Sequence, residues 1–257
     1  MSIRPDDIEV LFHDDALVVV NKPEGVLTHR GWGRDKVTML DLVRDMVGCY
    51  VYPVHRLDRA TSGVLLLGKG KEVARDLNKL FEERKVEKRY LALVKGEAPD
   101  AGIADRPLSP DPQGKGRPRR DPVPAFTMFR KLLQLEFVSL VEAMPLTGRV
   151  HQIRRHLYHL GHAIAGDKKY GFRALNRIYK KEHGLERMAL HAWKMSFVHP
   201  LTEERIVCES LPPRELLEPM ADIGIQQDFW ETLSQNWTEW EGWKEEADKV
   251  REQESDN

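Results

Sequence analysis

The feature that most constrains the fold is a series of short, strand-like runs joined mostly by turn-like segments. The first two runs, IEVLF and ALVVVNKP, are separated by HDD and end at Pro23 and Gly25. Further strands are predicted in GVLLLG, KRYLALVKG, AFTMFRKL, LEFVSLVEA, LHAWKMSFVHP and ERIVCES. Because the strands cluster and often follow one another through short turns, we predict an α+β fold with a largely antiparallel central sheet and flanking helices.

Three helices are predicted from the spacing of apolar side chains. VTMLDLVRDMVG has Gly48 as a suitable C-cap, and its apolar stripe consists of Val37, Leu40, Val43 and Val47. KEVARDLNKLFEER has a similar stripe, made of Val73, Leu77, Leu80 and Phe81. GRVHQIRRHLYHLG is expected to end at Gly161. Residues 98–124 contain too many prolines and glycines for a helix or a central strand, which predicts a long loop.

Composition excludes several protein classes. A chain of 257 residues with 41% hydrophobic residues can bury a sizeable core. No run approaches the roughly 20 apolar residues that a membrane-spanning helix needs, and the N-terminus lacks the apolar stretch of a secretory signal. Cys49 and Cys208 lack the spacing of a metal or redox site. We therefore expect a globular, cytoplasmic protein with no membrane partner.

Three common catalytic sites do not fit the sequence. GVLLLGKG resembles a phosphate-binding P-loop, but Gly70 stands where the metal-binding Ser or Thr is needed, and VLLL predicts a buried strand. The G-x-S-x-G elbow of hydrolases is absent. A zinc site is not expected, because no Cys or acidic residue within residues 147–162 joins the four histidines there, His151, His156, His159 and His162.

The candidate catalytic residue is Asp58, which lies between Arg56 and Arg59 in HRLDRATSG. An isolated Arg-x-Asp pattern is usually an ordinary ion pair. Neighbouring cations favour the ionised form of a carboxyl group, which suits a nucleophile or a base rather than a general acid. No second carboxyl group lies nearby, so the acid of a glycosidase pair is missing. The pattern indicates chemistry at a glycosidic bond without that acid.

Basic clusters indicate a polyanionic substrate. TGRVHQIRRHL, residues 147–157, contains Arg149, Arg154 and Arg155 on one predicted helix. The loop QGKGRPRR contains no acidic residue and four cations, Lys115, Arg117, Arg119 and Arg120. Such loops usually contact phosphates when a protein binds nucleic acid, although a merely solvated loop is the alternative. Outside the last 32 residues, which hold 10 acidic and 3 basic residues, the chain has 37 basic and 31 acidic residues.

Five motifs, in this order along the chain, resemble those of the RluA-type pseudouridine synthases. HRLDRATSG is similar to the catalytic motif of that family and NKPEG, residues 21–25, to its first motif. KRYLALVKG is similar to the tyrosine motif, TGRVHQIRRHLYHLGHAIAGDKKYG to the arginine motif, and LHAWKMSFVHP to a late strand. The resemblance covers roughly residues 8–213.

The resemblance implies a pseudouridine synthase fold with an RNA-binding cleft. It also implies isomerisation of uridine to pseudouridine in RNA without a cofactor. Asp58 would be the catalytic aspartate, oriented by a salt bridge from Arg154. Tyr90 would stack on the target uracil, and Arg56 would fill the gap left by the flipped nucleotide. One ionised aspartate suffices for this reaction, because uracil departs as a delocalised anion and stays in the pocket.

The resemblance also predicts the domain organisation. Many family members carry an N-terminal S4 RNA-binding domain, but the first predicted strand begins near residue 8 and leaves no space for one. Residues 1–225 are therefore expected to form the catalytic domain. Residues 226–257 are expected to form an acidic C-terminal helix or tail that packs through Trp230, Trp237, Trp240 and Trp243. A tail that binds a partner is the alternative.

Two stretches bear on the substrate. THRGWGRDK, residues 28–36, and residues 170–193 resemble family members that modify uridine 65 of tRNA. We therefore expect a monomer that acts on tRNA and needs neither a metal nor a nucleotide cofactor. Three alternatives stay open. They are a synthase that acts on ribosomal RNA or on both RNAs, a non-catalytic RNA-binding protein, and a sugar-phosphate or glycoside enzyme with a second carboxyl group near Asp58.

Overall fold

The computed structural model describes residues 3–30, 37–109, 121–235 and 245. The strands are β1 (Val10–His13), β2 (Leu17–Lys22), β3 (Val51–Pro53), β4 (Ser62–Lys69), β5 (Glu87–Lys95), β6 (Ala101–Ala104), β7 (Thr127–Gln134), β8 (Val138–Pro145), β9 (Leu190–Val198) and β10 (Arg205–Glu209). The helices are α1 (Met39–Val47), α2 (Lys71–Glu82), α3 (Gln152–His159), α4 (Arg173–His183), α5 (Arg214–Ile223) and α6 (Gln227–Gln235), and a 3₁₀ turn covers Pro5–Asp7.

The chain forms two compact units. The first consists of Met1–Tyr90 and Leu190–Pro213, and the second of Leu91–Ala189 and Arg214–Asn257. Strand β5 therefore begins in the first unit and ends in the second. Over the described ranges, the structure contains no helix that is both long and apolar enough to cross a membrane.

The first unit has a mostly antiparallel sheet. β2 pairs with β1 and β4, β3 pairs with β4, and β10 pairs with β9, all antiparallel. β4 and β9 pair in parallel at Ser62–His191 and Gly63–Ala192. The predicted hairpins β1–β2 and β9–β10 are confirmed. Apolar side chains of the strands and of α2 form one core, which includes Leu17, Val19, Val64, Leu66, Leu77, Met195 and Phe197.

Helix α1 ends as predicted but begins later than its apolar pattern suggests. Gly48 adopts a left-handed conformation, with φ 68°, and its N–H donates to the carbonyl of Arg44. At the other end, Thr38 is the N-cap and forms a capping box with Asp41. Val37 consequently lies outside the helix and is 44% exposed, so its predicted place in the buried stripe was wrong. The residues that α1 buries are Met39, Leu42 and Val43.

Within the described residues, the second unit combines an antiparallel sheet with four helices, α3 to α6. β7 pairs with both β6 and β8. β6 lies inside the segment predicted as a long loop, so that prediction missed a four-residue strand. The sequence patterns also missed α4 and α5. Trp230 of α6 is 2% exposed, whereas Trp237, Trp240 and Trp243 lie outside the described residues.

Helix α3 begins at Gln152, four residues later than the predicted pattern. The Gln152 side chain binds the residues that precede the helix, because its Oε1 accepts hydrogen bonds from the Arg149 N–H and the Thr147 hydroxyl. His151 takes a left-handed conformation with φ 53° just before the helix. The first N–H groups of any helix lack a partner within the helix, so the Gln152 side chain satisfies a donor that lies ahead of α3. The fold belongs to the predicted α+β class with a largely antiparallel sheet.

Candidate active site

Asp58 lies in the loop between β3 and β4 of the first unit. The Thr61 N–H donates to the Asp58 carbonyl at 3.1 Å and closes a turn immediately before the buried strand β4. Leu57 is buried, with 4% exposure, and anchors the loop in the core. Asp58 is half-buried, and Arg56 and Arg59 are exposed. The loop therefore holds a carboxylate shortly before a buried strand, with the exposed residues Arg56 and Arg59 within two positions of it in sequence.

Buried Lys22 connects the NKPEG motif to this loop. Its side chain is fully buried, and its Nζ donates to the carbonyls of Pro23 and Val26 at 2.8 Å and of Arg59 at 3.4 Å. The Gly25 N–H donates to the same Arg59 carbonyl at 2.8 Å. Burial of an ammonium group is tolerated only when acceptors replace its water. The first motif and the catalytic motif therefore form one hydrogen-bonded scaffold around Asp58.

Thr28 fixes the chain on the other side of Asp58. The Leu57 N–H donates to Thr28 Oγ1 at 3.2 Å, and the Thr28 hydroxyl donates to the Leu57 carbonyl at 3.3 Å. Thr28 is 2% exposed. Peptide groups on both sides of Asp58 are thus held by buried side chains. A carboxylate fixed in this way needs little reorganisation before reaction.

His55 has a structural role next to Asp58. Its Nε2 accepts a hydrogen bond from the Leu66 N–H at 2.9 Å, and its ring stacks on Phe81 with centroids 5.0 Å apart. Burial, together with the positive charge of Lys88, lowers the pKa of His55 to about 3. His55 is therefore neutral near pH 7, which keeps Nε2 available as an acceptor for β4.

The end of the catalytic motif is fixed by close packing against β9. The Nε2 of His191 lies 2.8 Å from the Ser210 carbonyl, and its Nδ1 lies 2.8 Å from Ser62 Oγ. Because a carbonyl only accepts, Nε2 carries the proton and the Ser62 hydroxyl donates to Nδ1. A Cβ at Gly63, where φ is 113°, would stand 2.0 Å from the Ala192 carbonyl oxygen. The Ser-Gly pair of the motif is required by this packing.

Tyr90 lies in the first-unit part of β5 and is 8% exposed. Burial, and to a lesser extent the negative charge of Asp58, raise the pKa of Tyr90 above its ordinary value. The phenol therefore remains neutral near pH 7. The effect of Asp58 on this pKa shows that the two predicted residues are electrostatic neighbours within the first unit.

Arg154, on α3 of the second unit, forms a buried two-point ion pair with Asp167. Arg154 Nε donates to Asp167 Oδ2 at 2.8 Å, and a terminal nitrogen donates to Oδ1 at 3.0 Å. Burial raises the pKa of Asp167, but hydrogen bonds and charge from Arg154, with the N–H groups of Lys169 and Tyr170, outweigh burial and lower it overall. Sequence reasoning missed Asp167, although it is the only acidic residue in residues 149–173.

The other predicted RNA-binding cations occupy different environments. Arg149 Nε donates to the Pro124 carbonyl at 2.9 Å. Arg155 is 8% exposed and donates to the Ser109 carbonyl at 3.0 Å, and burial lowers its pKa. Binding of these two residues to RNA stays a prediction. The four cations of the basic loop lie outside the described residues, namely Lys115, Arg117, Arg119 and Arg120.

Histidines around α3 bond to protein groups. His156 lies 2.9 Å from Thr127 Oγ1 through Nδ1 and 3.0 Å from the Arg106 carbonyl through Nε2. His151 Nδ1 lies 3.0 Å from the Tyr170 hydroxyl. Among the residues that the structure describes, no group of three or more His, Cys, Asp or Glu could hold a metal ion. The P-loop-like stretch GVLLLGKG belongs mainly to β4, which is an extended strand.

Comparisons with known proteins identify the family. Residues 16–159 match the family model described as RNA pseudouridylate synthase. The chain is 40% identical over 234 residues to tRNA pseudouridine synthase C of Salmonella typhimurium (strain LT2), which covers 84% of this chain and 90% of that protein. It is 38% identical over 221 residues to the protein of the same name from Haemophilus ducreyi, and this alignment covers 80% of this chain and 91% of that protein. The solved structure of human RNA pseudouridylate synthase domain containing 4 matches with a TM-score of 0.71 and 28% identity, covering 85% of this chain and 94% of that one.

The family match covers more than half of the chain and contains Asp58, Tyr90 and Arg154. The chain therefore belongs to the RNA pseudouridylate synthase family, of the RluA type that its motifs resemble. The predicted fold of that family is confirmed as well.

Proposed function

We propose that this RNA pseudouridine synthase isomerises one uridine of tRNA to pseudouridine, and that the target is uridine 65. The main observation that supports this proposal is the 40% identity to a protein named tRNA pseudouridine synthase C. The alignment covers 84% of this chain and 90% of that protein. The resemblance of residues 28–36 and 170–193 to tRNA-directed members supports the same target. The protein acts as a monomer and needs neither a metal nor a nucleotide cofactor.

The chemistry proposed for Asp58 follows from the nature of an isomerisation. The bond between uracil N1 and ribose C1′ breaks and a bond between C5 and C1′ forms. C5 loses a proton and N1 gains one, so no electrons are exchanged with a cofactor. Asp58 attacks C1′, attacks the uracil ring, or removes a ribose proton to give a glycal. All three routes use an ionised carboxylate beside the glycosidic bond, which suits the half-buried, rigidly held Asp58.

Base flipping requires residues that replace the lost stacking. Extruding a base costs a few kcal/mol, and stacking on an aromatic ring returns about 1–3 kcal/mol. Tyr90 is buried, neutral and close enough to Asp58 to sense its charge, which suits a ring that packs on the target uracil. Arg56 is exposed and two residues from Asp58, which suits a side chain that enters the vacated space.

Arg154 is proposed to orient Asp58. A guanidinium group has five N–H donors, and Asp167 accepts from Nε and one terminal nitrogen. The pair with Asp167 would fix the plane of the guanidinium group while other donors engage the catalytic carboxylate. In this arrangement Asp167 supports Arg154, and Arg154 positions Asp58.

The proposal is tested by mapping pseudouridine in RNA. Purified protein is incubated with unmodified tRNA transcripts and, separately, with ribosomal RNA, in the presence of EDTA. Mass spectrometry after chemical labelling of pseudouridine should find one new site, at position 65 of tRNA. Total RNA from a strain that lacks the gene should lose the same site and regain it on complementation.

The Asp58→Asn variant provides the negative control. Modification of ribosomal RNA alone would contradict the assignment to tRNA, and loss of turnover in EDTA would contradict a metal-free reaction. A pseudouridine at another tRNA position would retain the substrate class and reject the position. Sedimentation velocity of the active protein tests the monomer.

A further inference from the structure

Three aromatic rings form a solvent-accessible cluster in the second unit. Tyr158, near the end of α3, and Phe172, just before α4, are each 42% exposed. Their ring centroids are 6.4 Å apart, and the half-buried Tyr170 lies 6.3 Å from Tyr158. We call Tyr158, Tyr170 and Phe172 the aromatic patch. Single exposed rings are common on protein surfaces, but a cluster of them marks a binding surface more often.

The patch is surrounded by positive charge. Lys95 Nζ lies 4.6 Å from the centroid of Phe172, and Lys169 Nζ lies 5.4 Å from that of Tyr170. The guanidinium carbon of Arg154 lies 5.1 Å from the Tyr170 centroid. Residues 149–173 contain six Lys and Arg residues but only one acidic residue, Asp167, which is 1% exposed and paired with Arg154. Within residues 149–173, the exposed charge near the rings is therefore positive, which favours a polyanion.

Neither exposed ring is needed to form its helix. α3 packs through residues such as Ile153 and Leu157, whereas Tyr158 faces solvent. Phe172 is the N-cap of α4, but its side chain makes no capping hydrogen bond. Exposing large rings brings no gain in folding free energy, because their apolar surface stays in water. Their presence among cations is instead the combination that binds single-stranded nucleic acid, in which bases stack and phosphates pair with cations.

We propose that the aromatic patch is a second RNA-binding site, at which one or two unpaired nucleotides of the substrate stack on Tyr158 and Phe172. Lys95 and Lys169 neutralise the adjacent phosphates. The patch would recognise a nucleotide other than the flipped uridine, because the ring assigned to that base is Tyr90. This inference rests on the proposed function for the identity of the RNA. The stacking itself is testable with any single-stranded RNA.

The first experiment compares tRNA binding by fluorescence anisotropy across a series of salt concentrations. Tyr158→Ala/Phe172→Ala should weaken binding about tenfold at every salt concentration, because a base no longer stacks on the patch. Lys95→Ala/Lys169→Ala should instead lower the slope of log K against log salt by about 1.4, because two phosphates of unpaired nucleotides are no longer neutralised. The matched control is Tyr50→Ala, which removes an aromatic side chain that is 65% exposed in the first unit.

Aromatic replacements separate stacking from stability. Tyr158→Trp/Phe172→Tyr should bind tRNA as the wild-type protein does, and all variants should keep its melting temperature within a few degrees. If the alanine pair fails to fold, the aromatic pair and the lysine pair still decide the question. Normal binding by the alanine pair, or a loss equal to that of Tyr50→Ala, would overturn the proposal.

The second experiment uses a five-residue oligouridylate that carries 4-thiouridine. Photo-crosslinks identified by peptide mass spectrometry should fall on the aromatic patch and should disappear in the alanine pair. This readout does not depend on catalysis or on tRNA. Crosslinks here without any tRNA modification would therefore reject the proposed function and retain the patch. Normal modification of tRNA by the wild-type protein without crosslinks at the aromatic patch would reject the patch alone. If the wild-type protein were a dimer and the alanine pair a monomer, the patch would instead be an interface with a second copy of the chain.

Discussion

Arg154 donates two hydrogen bonds to Asp167, at 2.8 and 3.0 Å, and the two side chains are only 10% and 1% exposed. Such a geometry holds the planar guanidinium group in one orientation. The pair connects α3 to the loop that follows it, because the Asp167 carboxylate also accepts the N–H groups of Lys169 and Tyr170. Asp167 therefore organises the segment that carries both Arg154 and the aromatic patch.

Replacing Asp167 should lower the stability of the protein. Asp167→Ala leaves Arg154 buried without its carboxylate, so the free energy of unfolding should fall by about 3–5 kcal/mol. Glu186→Gln is the matched control, because Glu186 is 72% exposed in its pair with Lys180 and should contribute less than about 1 kcal/mol. Urea unfolding at pH 7 measures the free energy of unfolding of both variants. Equal effects of the two substitutions would show that the buried pair has no special role.

Acid should destabilise the first unit through His55. Burial lowers its pKa to about 3 from 6.5, so the unfolded chain takes up the proton first as the pH falls. The free energy of unfolding that is linked to neutral His55 is retained above pH 6.5 and is lost progressively toward pH 3. About 2 kcal/mol of it is lost between pH 7 and pH 5. His55→Gln offers an uncharged acceptor to the Leu66 N–H and should remove this part of the pH dependence.

The control for that experiment is His13→Gln, which replaces an exposed histidine of the same unit. Its urea midpoints at pH 7 and pH 5 should differ as the wild-type ones do. If His55→Gln and His13→Gln have the same pH dependence, protonation of His55 does not limit acid stability.

Local patterns predicted most of the strands and α2, because apolar runs and apolar repeats mark buried elements, but they missed the short strands β3 and β6. Leu77 illustrates the rule, since its place in the α2 stripe is fully buried. Interactions between distant residues were not accessible in the same way. No local pattern shows that the Lys22 ammonium binds the carbonyl of Arg59, which lies 37 residues further along the chain.

The residues of the candidate site also differ in whether neighbouring residues in the sequence could identify them. Asp58 was predicted because its cationic neighbours and its motif are adjacent in sequence. Asp167 was missed because its role depends on burial and on an ion pair with a residue 13 positions away. A lone carboxylate in a strongly basic segment is the signal that could have identified it. The aromatic patch was missed for a related reason, since its rings come from α3 and from the loop that precedes α4.

Tyr90 should contribute to RNA affinity through its ring. Tyr90→Phe retains the ring and should bind tRNA within about twofold of wild type, whereas Tyr90→Leu should bind about tenfold more weakly because the base has no ring to stack on. Since the pKa of Tyr90 is raised, its ionisation should not appear in the rate–pH profile of the wild-type protein below pH 10. Anisotropy and single-turnover rates test these statements. If Tyr90→Phe and Tyr90→Leu lost tRNA affinity equally, the contribution of Tyr90 to binding would come from its hydroxyl group.

The basic loop should contribute to affinity through charge. Replacement of its four cations by alanine should weaken tRNA binding and reduce the slope of log K against log salt by about 0.9 for each phosphate that is no longer neutralised. The melting temperature should not change. The replaced residues are Lys115, Arg117, Arg119 and Arg120. An unchanged slope would show that the loop is merely solvated.

Asp58→Asn should separate chemistry from binding. If Asp58 is the catalytic carboxylate, the variant forms no pseudouridine, because an amide can neither attack carbon nor accept a proton as the carboxylate does. Its affinity for tRNA should equal or slightly exceed that of the wild type, because one negative charge near phosphates has been removed. Asp76→Asn, which changes an exposed carboxylate on α2, is the matched control and should leave both quantities unchanged. Single-turnover rate, tRNA affinity and melting temperature are measured for both variants. If Asp58 served only as a structural partner of Arg154, the pattern would be the opposite. The variant would keep measurable turnover and would have a lowered melting temperature, because buried Arg154 would lose that partner.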